Sequence, residues 1–420
     1  MLEGLVRADI VVIGGGFTGV TAAWRLKTDH PGKRIAVLEA DVVGFGASGR
    51  NTGMLLPGFN LPLSKMLQRL GRQKTKDAWR YIEQSVQTAG ELVRAHHLEC
   101  DYELTGSLCV ATSPGYVQRL EHEMALARSL EIPAGEWLDA AATRALVDSP
   151  TYMGARFDAN GALVNPAKLA NELKRIAIAA GVEFYEHSPV TNLAFTNPIR
   201  AQTPHGAIEA DKLVLATNAF SAQFAPLYER QCPIHLYVVL TAPLSAEQLA
   251  SVQWGGRHGI LDARNLSHFY RLTPDNRLLV GGGDARYFYD NATGIDKHVP
   301  TFERLQWFIA DTFPSLRGIR ITHRWGGPVS ATSDLVPAIG VSGDGSRIVY
   351  SVGCGSIGIG PAILNGIIIG DLIGEKRSEY TESLIVNRAL TSLPSEPLRA
   401  PLVNGYLAYL RLQDAIYDLK

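Results

Sequence analysis

Apolar residues gather in short unbroken runs at the start, in the middle and near the end of the chain. Residues 9–13 (DIVVI), 35–38 (IAVL), 213–216 (LVLA) and 348–351 (IVYS) are four such runs. Runs of this length without alternation predict strands buried on both faces, as in a parallel sheet covered by helices. Residues 17–27 carry Val20, Ala23, Trp24 and Leu26 as apolar positions of a helix that His30-Pro31-Gly32 breaks, so the chain opens as a βαβ unit. Amphipathic helices are predicted over 62–97, 117–130 and 138–147, and a strand pair at 102–104 and 107–111 around Thr105-Gly106. Asn165-Pro166 opens a helix over 167–180, Gly181 stops it, and a strand over 182–185 follows. Residues 234–324 are β-rich, with a hairpin of 269–272 and 278–281 and a helix over 302–313. A linker over 394–401 leads to a terminal helix over 405–418.

Composition narrows the picture. Lys and Arg number 40 against 41 Asp and Glu, which gives no electrostatic footprint for nucleic acid. The four cysteines, Cys100, Cys109, Cys232 and Cys354, form no CxxC pair and no cluster with histidine, so neither a disulfide framework nor a metal site is expected. Residues 1–8 show no leader pattern, which points to the cytoplasm. The nearly uncharged stretch 351–373 is interrupted by six glycines and Pro361, so it predicts a buried loop and helix rather than an integral membrane segment.

The first chemical motif is GGGFTG at 14–19. It follows a buried strand, opens a helix, and is followed twenty residues after Gly19 by Glu39 at the end of the next strand. Gly14 permits the tight turn. Gly16 lets the backbone approach a pyrophosphate at the helix N-terminus, with Phe17 and Thr18 beside it. Gly19 lets helix and strand pack closely, and Glu39 accepts hydrogen bonds from ribose hydroxyls. A second Gly/Ser-rich segment, GFGASGRNTG at 44–53, suits a long dinucleotide whose far end needs its own cradle, with Arg50 and Asn51 supplying a cation and an amide near an electron-rich ring.

These segments resemble the D-amino-acid-oxidase-like (DAO) family of FAD-dependent amine and amino-acid oxidoreductases, particularly its γ-glutamylputrescine-oxidoreductase-type members. The resemblance is carried by 14–19 with Glu39, by 44–53, by ADKLVLATNAFS at 210–221, and by RNLSHFYRLTPDNR at 264–277. It continues in Trp325-Gly326-Gly327 through Thr332, Asp334 and Pro337 to Gly340, in 350–370, and in the tail 399–414. It implies an α/β (α+β overall) architecture of glutathione-reductase/DAO type. A Rossmann-like FAD-binding domain is expected from 1–75, 145–230 and 325–390, a β-rich substrate domain from 76–144 and 231–324, and a terminal segment from 391–420. The family's ADP contacts map to Gly14, Gly16, Thr18, Gly19, Glu39 and Ala40. Its flavin-side contacts map to Ala47, Ser48, Arg50 and Asn51, its adenine contact to Val190, its strand-end contact to Thr217, and its closing loop to Gly355, Gly358 and Ile359. That loop departs from the family pattern at Cys354, Ser356 and Ile357, which bears on the shape of the flavin pocket.

The implied activity is hydride loss from the carbon beside an amine nitrogen to flavin N5, giving an imine that hydrolyses. FAD is expected to be non-covalent, and oxygen or a quinone to be the electron acceptor. Candidate substrate residues are His268, Tyr270, Arg271 and Arg324. Arg271 or Arg324 would clamp a carboxylate, whereas Tyr270 and Trp325 would wall a longer amine. Alternation puts His268 and Tyr270 on one strand face and Arg271 on the other. Oxidation of a hydroxy acid at CH–OH and a non-catalytic FAD-binding subunit remain alternatives.

Overall fold

A computed structural model of the protein describes residues 1–59, 61–224, 227–343 and 347–419. The four unbroken apolar runs lie side by side in one sheet, whose spatial order is Ala338–Ser342, Ile348–Val352, Gly206–Leu215, Gly4–Ile13, Ile35–Leu38, Glu183–Tyr185. Gly4–Ile13 is central and parallel to both neighbours. It begins before the apolar run at residue 9, because in the added half Arg7 stands opposite Glu209 and pairs with it at 3.4 Å. Four helices bury one face of the sheet: Phe17–Asp29, Leu63–Ala95, Pro166–Ala180 and Ile359–Ile373. Their core includes Val20, Leu26, Ile82, Val86, Leu173 and Ile363.

The uncharged stretch divides as expected into a strand ending at Val352, a loop, and the helix Ile359–Ile373. This helix lies tight against Phe17–Asp29. A Cβ on Gly366 would stand 2.6 Å from the Cβ of Thr21, so only glycine permits the contact. Among the described residues no helix is long and apolar enough to cross a membrane.

A second sheet runs Ile321–Ala331, Cys232–Pro243, Arg277–Gly282, His268–Leu272, Gly259–Asp262, Ser107–Ala111, Gly154–Asp158, Glu136–Asp139. One of its faces packs on the helix Val299–Thr312 through Tyr237, Val239, Ile260, Tyr270 and Val280. Sheet membership divides the chain differently from the expected boundaries. The cut at 75/76 falls inside Leu63–Ala95, whose Ile82 and Val86 belong to the core of the first sheet. The cut at 324/325 falls inside the strand Ile321–Ala331, and Gly154–Asp158 joins the second sheet rather than the first. Pairing between distant segments decides membership, and local composition carries no record of it. The expected strand at 102–104 does not form; Glu103 makes only an isolated bridge to Leu163. The terminal helix, Arg399–Asp418, starts six residues earlier than read, because Pro401 sits in its first turn, where the amide needs no partner.

That helix is held by buried charge. Asp284, 5% exposed, meets Arg411 at 2.7 Å and Arg286 at 3.1 Å, and also bonds Arg304. Burial pushes the Asp284 pKa up, but the guanidinium groups outweigh it and hold it below its ordinary value of 3.8. A carboxylate with a lowered folded-state pKa stabilises fully above the unfolded value and loses that contribution as pH falls through the folded one. Asp284→Asn is therefore expected to cost about 3 kcal/mol. Proteolysis should show it: the variant should be cut within 399–418 at neutral pH, whereas the parent should become susceptible only below the ordinary carboxylate pKa.

Candidate active site

The strand Gly4–Ile13 ends at the GGGFTG turn, and the turn is shaped by contact. A Cβ on Gly14 would lie 2.6 Å from the carbonyl oxygen of Ala216, and one on Gly19 only 1.9 Å from that of Gly14. The Glu39 carboxylate accepts from the amides of Gly15 at 2.7 Å and Asp41 at 3.0 Å. Burial raises its pKa against those amide bonds. Ser48 accepts from the Phe17 amide at 2.9 Å, tying the second Gly/Ser segment to the first helix.

An elongated cavity of about 460 Å³ starts here. It runs from Glu39 and Val190, past the turn, to Phe269 and Gly327 of the second sheet and to Gly355 and Ser356 of the closing loop. Every residue expected at the cofactor lines it except Gly19, which lies one turn deeper as packing. Two helix N-termini, those of Phe17–Asp29 and Ile359–Ile373, open into it. Neither has an acidic residue in its first turn or a side-chain cap. Two bare positive helix ends along one long cavity suit a dinucleotide with a pyrophosphate and an electron-rich ring.

Asn51 differs from expectation. Its amide nitrogen donates to the carbonyls of Ala47 at 2.9 Å and Ser48 at 3.0 Å, and its oxygen accepts from the Gly53 amide, so it braces its own loop. Arg50 donates to the carbonyls of Phe45 and Gly326, and its own carbonyl accepts from the Trp325 indole at 2.8 Å. It thus joins the loop to the second sheet.

A second cavity, of about 560 Å³, adjoins the first. Leu236, Phe269, Gly282, Val329, Gly355 and Ser356 line both. The four substrate candidates lie elsewhere. Tyr270, 1% exposed, faces the opposite side of the sheet, hydrogen-bonds Tyr152 at 2.8 Å and packs on Trp254 and Phe308. His268 stacks on Phe308 and binds the Asp262 carboxylate at 2.6 Å. Burial acts to raise the Asp262 pKa, but His268 and Arg264 outweigh it and keep it below the ordinary range. Arg271 is buried, donating to the carbonyls of Thr52 at 2.6 Å and Val164 at 2.9 Å, and burial brings its pKa down to about 10. It is a strut beneath the 44–53 loop. Arg324 is exposed and lines neither cavity, and nor does Trp325.

Phe269 stands where Tyr270 was expected. The alternation that separates His268 and Tyr270 from Arg271 puts Phe269 on the face of Arg271, but gives no sign of which face meets the cavity. The outer cavity residues Arg119 and Arg156 carry no local signal at all.

The fold and paired cavities are those of an FAD-dependent oxidoreductase. Residues 9–372 match the family model described as DAO, FAD dependent oxidoreductase, and the chain belongs to that family. FAD is its cofactor. The chain is 30% identical to gamma-glutamylputrescine oxidoreductase of Escherichia coli (strain K12) over 98% of this chain and 94% of that one. It is 25% identical to glycine oxidase of Bacillus licheniformis, over 91% and 98% respectively. Its fold is similar to the crystal structure of glycine oxidase from Geobacillus kaustophilus, with a TM-score of 0.77, 20% identity, and coverage of 92% of this chain and 100% of that one.

Two substitutions test the construction of the site. Glu39→Ala should weaken FAD retention about 10- to 100-fold, measured by titrating the apoprotein with FAD. Arg271→Met leaves two carbonyls unpaired and should lower stability by about 2 kcal/mol. A calorimetric scan should show the lower melting temperature, with FAD released earlier in the transition.

Proposed function

We propose that the enzyme oxidises an amine or amino acid at its CH–NH or CH–NH2 group, giving an imine that water hydrolyses. Bound FAD supplies the acceptor, at N5, for the hydride that leaves the substrate carbon. The substrate nitrogen's lone pair forms the C=N bond as that hydride departs.

The observation that carries this reading is the junction of the two cavities. Its wall is Leu236, Phe269 and Val329 with small residues between, and no histidine among the described residues lines either cavity. An apolar wall disfavours the ammonium form and presents the amine neutral, with its lone pair free. A hydroxy acid would need a base to take its hydroxyl proton as the hydride leaves. The nearby acids Asp262 and Asp284 are already engaged by cations. The bare N-terminus of Ile359–Ile373 favours negative charge at this end of the cofactor cavity. The amine and amino-acid compounds in the names of the relatives support the same class.

The flavin is held without a covalent bond. Cys354, which lines its cavity, is buried, and burial pushes the thiol up to about 11, leaving little thiolate to attack. All four cysteines are free, in keeping with a reducing cytoplasm. The electrons pass on to oxygen or a quinone.

Anaerobic mixing with a panel of amines, amino acids and hydroxy acids tests the reading. An amine or amino acid should bleach the visible flavin absorbance. Bleaching by hydroxy acids alone overturns it. Return of colour on admitting air assigns oxygen as acceptor; return only with added quinone assigns the quinone.

A further inference from the structure

We propose that the second cavity carries, at its end remote from the cofactor, a subsite for a carboxylate on the substrate, formed by Arg156 and Arg119. The inference rests on the amine-oxidising reading above and narrows it to amines with an acidic group far from the carbon oxidised.

The strand register lays out the path. Phe269 lies opposite Leu261, Leu261 beside Cys109, and Cys109 opposite Arg156. These four residues form one row across four strands, and all of them line the second cavity. Phe269, at one end, also lines the cofactor cavity. Three interstrand steps put the backbone of Arg156 about 14 Å from that of Phe269. The row is apolar or weakly polar until it reaches the guanidinium.

Both arginines have unused donors. Among the described residues the Arg156 guanidinium makes no hydrogen bond or ion pair, although its backbone is paired in the sheet. Arg119 donates one nitrogen to the Asn265 side chain at 3.1 Å and lies over the Tyr417 ring, while its Nη1 is buried without a partner. A buried donor left unpaired costs free energy that a ligand oxygen would restore. Both groups lie close enough to the Cys109 sulfur to act on its charge. Of the other cations lining the cavity, Arg264 is engaged by Asp262 and Asp418, and Arg69 is exposed on the helix Leu63–Ala95.

The surroundings also set the ligand's charge and position. Glu123 accepts from Ser64, and Asp158 from the Asn160 amide, in or beside the same cavity, and neither forms an ion pair with the two arginines. Two carboxylates near two arginines suit a singly charged carboxylate better than a phosphate dianion. The six residues at the junction carry no charge, so a carboxylate adjoining the reacting carbon meets no cation among them.

The test compares a straight-chain ω-amino acid with the alkylamine of the same carbon number, reading anaerobic flavin reduction by the holoenzyme. The parent should favour the ω-amino acid in half-saturating concentration. Arg156→Met and Arg119→Met should each reduce that preference about tenfold, and Arg156→Lys should recover part of it. A preference equal in parent and variants, with both amines bleaching the flavin, overturns the subsite. Failure of every amine to bleach the parent counts against the amine reading instead. Hexanoate then decides the subsite without turnover, through its perturbation of the bound-flavin spectrum. About tenfold weaker binding to Arg156→Met supports the subsite, whereas equal binding, or none to the parent, overturns it.

Discussion

The carbonyl of Gly14 and the α-carbon of Gly19 approach so closely that a Cβ at position 19 would stand 1.9 Å from the oxygen. The end of Gly206–Leu215 presses on the same turn, since a Cβ at Gly14 would meet the Ala216 carbonyl at 2.6 Å. Two strands and a helix therefore converge with no side chain between them. A methyl group at either position would lift the helix Phe17–Asp29 off the central strand. It would also disturb that helix's contact with Ile359–Ile373, where Gly366 already touches Thr21. The positive ends of both helices owe their placement along one cavity to this packing.

The second sheet contributes by alternation. One face of its strands forms an apolar core with Val299–Thr312; the other forms the end of the first cavity and the wall of the second. Tyr270 and Phe269 are neighbours in the chain with opposite environments, because successive strand side chains point to opposite faces. Arg271 shares the face of Phe269 but lies nearer the strand's end, where the carbonyls of Thr52 and Val164 need donors. Its burial is costly for a cation and is offset by those bonds, which fix the 44–53 loop between the two sheets.

The terminal helix completes the outer cavity. Leu402, Tyr406, Leu407 and Leu410 line it, and Asp414 accepts from the backbone amides of Asn265 and Leu266 while Arg411 meets Asp284. The shape of this cavity thus depends on ion pairs and hydrogen bonds more than on the few buried apolar side chains of that helix. The outer cavity and the docking of the C-terminal segment are coupled through the same residues.

What could be read along the chain was what short-range physics enforces. Unbroken apolar runs marked the four central strands because burial on both faces demands them. The glycine turn, Glu39 and the 44–53 segment marked the cofactor cavity because backbone approach to a phosphate excludes side chains locally. The resemblance to the DAO family extended that reading to Val190, Thr217 and the loop ahead of Ile359. The substrate side was not legible, since His268, Tyr270, Arg271 and Arg324 carry suitable chemistry but are engaged with other residues or with solvent. The order of strands in the second sheet, the choice of Phe269 over Tyr270 at the junction and the placing of Arg119 and Arg156 in one cavity arise from pairing between segments far apart in sequence. Local pattern therefore determined the glycine turn and loop that line the first cavity, and only the tertiary structure decided which side chains line the second, because that depends on which sheet face is left uncovered.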